Sequence, residues 1–86
     1  MWIRSQDKTQ IVPMCELYIS TRQKGYCICT NRGNDLGIYP TKEKAIKVLN
    51  MIHEQIFEYD KAMFLGAENA YYVSCKIEMP QDDEVE

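Results

Sequence analysis

Pro40-Thr-Lys-Glu-Lys-Ala-Ile-Lys-Val-Leu-Asn-Met-Ile-His-Glu-Gln-Ile-Phe-Glu-Tyr59 is the stretch on which the fold turns. Setting its residues at the helical step places Ala45, Val48, Leu49, Ile52, Ile56 and Tyr59 on one stripe, with Lys44, Lys47, Glu54 and Glu58 away from it. The stripe predicts an amphipathic helix with one face committed to packing. Thr41 suits the N-cap, with Pro40 before it and Glu43 in the first turn, but Lys44 stands where the Glu or Gln of a capping box would be. At the far end Ala62, Met63, Phe64 and Leu65 can extend the helix and Gly66 is a natural stop, so the end is expected between Tyr59 and Leu65.

The flanks read as strands. Trp2 to Ser5 is a short apolar run followed by the polar turn Gln6 to Thr9. Gln10 to Ser20 carries Ile11, Cys15, Leu17 and Ile19 on one face and Val12, Met14, Glu16, Tyr18 and Ser20 on the other, and Pro13 demands an edge position or a bulge. A hairpin follows: with Gln23, Lys24 and Gly25 as loop and Arg22 opposite Tyr26, Cys29 faces Ile19 and both Cys27 and Cys29 lie on the helix side. A slip of one residue would exchange the two faces. Asn31-Arg32-Gly33-Asn34-Asp35 is a strong turn signal, and Leu36 to Tyr39 a short strand leading into the helix. Beyond the helix, Tyr71, Val73, Cys75, Ile77 and Met79 alternate inward with Ser74, Lys76 and Glu78 outward, and Pro80 ends that strand. The expectation is a single α+β domain over residues 1–80, a small, mainly antiparallel sheet (β-β-β-β-α-β) with one helix packed on one face, and an acidic disordered tail over 81–86.

With 86 residues, 45% of them hydrophobic and 27% charged, the chain has room for one core only. No apolar run reaches the roughly 20 residues of a membrane span. The opening Met1-Trp2-Ile3-Arg4 lacks the pattern of a signal peptide. A cytoplasmic location, free thiols and no membrane contact are therefore expected. Residues 1–50 carry eight Lys or Arg against four acids, and residues 51–86 two against nine, so the net charge of −3 is polarised along the chain. Internal compensation accounts for that polarity.

Few constellations promise chemistry. Cys15, Cys27, Cys29 and Cys75 total the four ligands of a structural zinc site, yet they lack the paired Cys-x2-4-Cys knuckles of zinc ribbons and read as buried small hydrophobes. His53 could serve a Cys-His pair only beside an activated thiol, and it lies at the flank of the helix stripe. Glu54 and Glu58 project together from the helix, as a solvated face also would. No catalytic residue, metal or cofactor is expected. The more informative feature is the second sheet face, where the expected register gathers Val12, Met14, Tyr18, Tyr26 and Ile28 into an apolar patch that one helix cannot also cover.

Met1-Trp2-Ile3-Arg4-Ser5-Gln6-Asp7-Lys8 resembles the opening of short uncharacterised proteins of Gram-positive bacteria and their phages. Leu36-Gly37-Ile38-Tyr39-Pro40-Thr41-Lys42-Glu43-Lys44-Ala45 looks like their strand-to-helix junction, and Ile77-Glu78-Met79-Pro80 like their last strand end. The resemblance implies a compact intracellular domain of phage or mobile-element origin. It implies no activity, and Met14 to Gly33 lies outside it.

These readings fix no function; the leading expectation is a non-enzymatic protein-interaction module that self-associates through Val12, Met14, Tyr18, Tyr26 and Ile28, its partner itself or another protein. Two alternatives stay open. The tyrosines beside Arg4, Arg22, Lys24 and Arg32 have the chemistry of a platform for single-stranded nucleic acid, opposed by the pI near 5.1. A thiol enzyme without a familiar motif is the other.

Overall fold

The structure, a computed structural model, describes residues 1–65 and 76–85. The elements run β1 (Trp2–Arg4), β2 (Ile11–Pro13), β3 (Leu17–Arg22), β4 (Gly25–Thr30), β5 (Asp35–Tyr39), α1 (Lys42–Leu65), β6 (Lys76–Glu78) and a 3-10 turn (Asp82–Glu84). The α+β class is as the sequence implies, with six strands in two small sheets and one helix among the described residues. One sheet has the order β2-β1-β6, with β2 antiparallel and β6 parallel to β1; the other is the antiparallel meander β3-β4-β5.

The division into two sheets arises in the stretch read as one long strand. Pro13 ends β2 on a sheet edge, where its missing N–H costs no ladder bond. Residues 14–16 then leave strand geometry before β3 begins. Met14 N–H still donates to Met1 O, and Asn31 N–H to Glu16 O, so the connection stays tied at both ends.

Thr41 caps α1 as expected, its Oγ1 accepting from Lys44 N–H at 3.1 Å, and the helix continues to Leu65. Ala45, Val48 and Ile52 are buried, and Leu49 and Ile56 pack beside them. They close over Ile28, Leu36 and Tyr39 of the meander and share their core with Ile3, Ile77 and Met79. Glu54 and Glu58 are exposed. Tyr71 to Cys75, expected in the last strand, lie outside the described residues, as does Gly66. Ile77 and Met79 point inward as their alternation requires.

Gln6 joins the two sheets. Its N–H donates to Leu36 O and its Oε1 accepts from Ile38 N–H, so this one residue serves β5 as a short surrogate strand. Its Nε2 donates to Pro80 O, its own carbonyl accepts from Gln81 Nε2, and the Tyr39 hydroxyl also donates to Pro80 O. Both ends of the chain are thereby fixed against β5.

The tail differs from expectation. Over residues 81–85 it is a docked turn instead of a disordered acidic segment. Lys44 Nζ meets Asp82 Oδ1 at 2.9 Å, Glu84 Oε1 accepts from Gln81 N–H, and Val85 packs against the core. An ammonium for the acids and an apolar seat for Val85 provide the contacts that composition alone does not reveal.

Candidate functional site

The hairpin register decides which side chains face outward. Arg22 pairs with Gly25, Ile19 with Ile28 and Tyr18 with Cys29, so the loop is the two-residue Gln23-Lys24, one residue shorter than expected. Gly25 belongs to the ladder with φ +143°, packed so closely on the Tyr39 carbonyl that a Cβ there would collide with it. One residue less of loop exchanges the faces. Tyr26 and Ile28 turn toward the helix, whereas Cys27 and Cys29 join Tyr18, Ser20 and Arg22 on the far side.

The expected patch is therefore corrected in its geometry. Ile28 is 0% exposed within the core, and Val12, Met14 and Tyr26 are half-buried against that core. Of the five, Tyr18 alone is exposed, at 46%, on the face away from the helix. Cys27 and Cys29 are likewise not on the helix side, whereas His53 is exposed on α1, so the hairpin cysteines and the histidine are not brought together.

The far face carries a polar cluster that sequence reading missed. Arg22 Nη2 donates to Asp35 Oδ1 at 3.2 Å and to Cys29 Sγ at 3.4 Å, and Nη1 bonds Ser20 Oγ. Asp35 reaches this face because of a bulge: Ile28 pairs with Gly37 but Cys29 with Asp35, leaving Leu36 as the extra residue. Leu36 stays in the core while the carboxylate is aimed outward beside the guanidinium. The signal for this cluster was present in the residues, but it needs both the register and the bulge to be seen.

Sγ of Cys27, Sγ of Cys29 and a carboxylate oxygen of Asp35 lie within 4.8 Å of one another. Two thiols and a carboxylate could ligate a thiophilic cation, provided that the thiols ionise and Arg22 withdraws. The surroundings oppose both steps. Burial pushes the Cys29 thiol up to about 12 and raises Cys27 as well, while the guanidinium already occupies the polar side of the cluster. Each thiol instead donates to a backbone carbonyl, Cys27 to Ile28 O and Cys29 to Cys27 O, both at 3.7 Å. Cys15 lies apart in the β2–β3 connection, and Cys75 is outside the described residues.

An open cleft of about 570 Å³ adjoins this cluster, bordered by Gln6, Asp7, Arg22, Lys24, Cys27 and Ile38. Asp7 organises its rim. Its Oδ1 accepts from Ser5 Oγ, Thr9 Oγ1 and Thr9 N–H, and these bonds, those from Thr9 foremost, lower its carboxyl pKa to about 2. The turn between β1 and β2 is thus held by a carboxylate that is already satisfied.

Two exposed apolar side chains stand on the other sheet. Trp2 and Ile11 are 51% and 57% exposed, and the pairing of Trp2 with Pro13 and Arg4 with Ile11 makes them diagonal neighbours on the face away from Ile3. Strand alternation around Ile3 was the signal that could have found Trp2. No protein-family model, curated protein or solved structure matches the chain. Among the described residues no helix is long and apolar enough to cross a membrane.

Proposed function

We propose that this α+β domain is a non-enzymatic interaction module whose partner is a second copy of itself, meeting on the side of the sheets away from α1. The observation that carries the reading is the exposure of Trp2, Ile11 and Tyr18 on strands whose opposite faces already fill the core. Large aromatic side chains left half-exposed on ordered strands are the residues that anchor interfaces. The raised thiols of Cys27 and Cys29 favour this reading over a thiol enzyme, because a nucleophilic cysteine needs a stabilised thiolate. The likeness of the chain's opening and helix junction to small phage-related proteins is compatible with such a role.

Light scattering across a hundredfold concentration range tests it. Association that rises with concentration and weakens in Trp2→Ser or Tyr18→Ser is expected; a strict monomer at every concentration would sink the proposal. Single-stranded nucleic acid is the second reading, favoured by Trp2 and Arg4 sharing one exposed face. Electrostatic binding strengthens steeply as salt is lowered, so oligonucleotide binding at low salt that depends on Arg4 would move the assignment there.

A further inference from the structure

We propose that two copies join through the outer edge of β3, antiparallel about a two-fold axis at Ile19, making one six-stranded sheet from two meanders. The proposal rests on the self-association reading and concerns a second surface, a strand edge distinct from the exposed face of Trp2, Ile11 and Tyr18.

Among the described residues strand β3 is an edge, since the sheet order is β3-β4-β5. Asn31 N–H donates to Glu16 O, which continues the β3–β4 ladder and fixes its parity. Antiparallel ladders alternate, so the backbone groups of Glu16, Tyr18, Ser20 and Arg22 point toward β4 and those of Leu17, Ile19 and Thr21 point away. Among the described residues these outward N–H and C=O groups have no backbone partner. Natural edge strands are usually blunted by proline, lysine, a bulge or a covering element. Over Leu17 to Arg22 there is no proline, no lysine and no irregularity of pairing.

The register follows from satisfying every outward group. A two-fold at Ile19 pairs Ile19 with itself and Leu17 with Thr21 of the second copy, so that all the outward groups of these residues bond across the axis. The same register sets Tyr18 against Ser20 and exposed Glu16 against exposed Arg22 of the other copy, at the close-approaching positions where cross-strand side chains interact most. Each Glu16–Arg22 pairing occurs twice, once on either side of the axis. Opposed charges at both ends of a self-paired edge select a second copy of this chain over an unrelated strand. Residues directly opposite share a face, so both helices lie on one side of the joined sheet and both Arg22–Asp35 clusters on the other.

The test combines sedimentation equilibrium of the full chain with three variants. Thr21→Pro removes an outward N–H that β4 does not use, and should weaken dimerisation at least about tenfold with an unchanged circular-dichroism spectrum. Glu16→Arg alone and Arg22→Glu alone should each weaken it as well, because each creates two like-charged pairs across the axis; Arg22→Glu also loses the ion pair with Asp35, so both variants are first shown to keep the wild-type circular-dichroism spectrum. An equimolar mixture of these two variants restores both opposite-charge pairs and should recover the dimer as a heterodimer. The mixing experiment is decisive even where Thr21→Pro fails to fold. A wild-type monomer overturns both this proposal and the reading on which it rests. A dimer indifferent to all three variants, or a mixture that fails to re-form one, overturns the edge and leaves self-association to the Trp2 and Tyr18 faces. Capture of an unrelated extended peptide on β3 in place of a second copy overturns it too.

Discussion

Truncating Ile28 separates the observed hairpin register from its one-residue alternative. Ile28 is wholly buried and shares a cluster with Leu36, Tyr39, Ala45, Val48 and Ile52. Ile28→Ala removes carbon atoms worth about 0.8 kcal/mol for each methylene-sized group. Because neighbours from two strands and the helix cannot all collapse into the gap, a cavity penalty adds to this, for roughly 3–4 kcal/mol in total. A domain of this size has roughly 4–13 kcal/mol to lose, so the variant should be close to half unfolded at modest urea. Tyr18→Ala, on the opposite face, should cost less than about 1 kcal/mol. Urea titrations followed by far-ultraviolet circular dichroism, at one fixed protein concentration so that association does not confound them, give both values from the midpoint at constant slope. Ile28→Ala costing less than Tyr18→Ala would refute the two-residue loop and restore Ile28 to the outer face.

Three further outcomes follow from the same geometry. Gly25→Ala should be more damaging than Gly33→Ala in thermal melts: both have positive φ, a backbone conformation that costs other residues about 1–3 kcal/mol, but only at Gly25 does the added methyl strike a backbone carbonyl. Thr41→Ala should cost about 1 kcal/mol through the lost helix cap, and Thr41→Ser should recover most of it. The buried Cys29 thiol makes stability fall in alkali: folded it keeps its proton to about pH 12, unfolded it loses it near 9, so denaturation midpoints should drop as pH rises between those values, and less so in Cys29→Ala.

The helix was legible because its signals are local. A stripe at the helical period, a threonine at the cap and a run of good helix formers agree with one another, and the structure adds only that α1 continues to Leu65. The core residues Ile77 and Met79 were legible in the same way, from alternation. The register was not, because the same residues fit a three-residue loop ending on Gly25 and a two-residue loop with Gly25 in the ladder, and the second sets Gly25 close on the Tyr39 carbonyl, fourteen positions on. That one ambiguity carried the site with it: it moved Ile28 inward and Cys29 outward. The Arg22–Asp35 cluster demanded the bulge at Leu36 besides, a feature set by tertiary packing and not by any residue pattern in β5. The docked turn at 82–84 was hidden for a related reason, since an acidic segment reads as solvated until Lys44 is known to lie beside it.

The parallel pairing of β1 with β6 has a consequence for how the chain reaches this state. Ile3 finds its neighbour Ile77 only after the whole meander and α1 have been made, and closing so long a loop carries an entropic cost that local contacts do not. The meander and helix, by contrast, are joined through short connections and can form as they leave the ribosome. Until β6 arrives, Trp2 and Ile3 are an apolar N-terminal strand without its parallel neighbour. The expected outcome is that β1–β6 pairing is the last contact to form in refolding, so that hydrogen exchange pulsed during refolding should protect the meander before it protects Ile3.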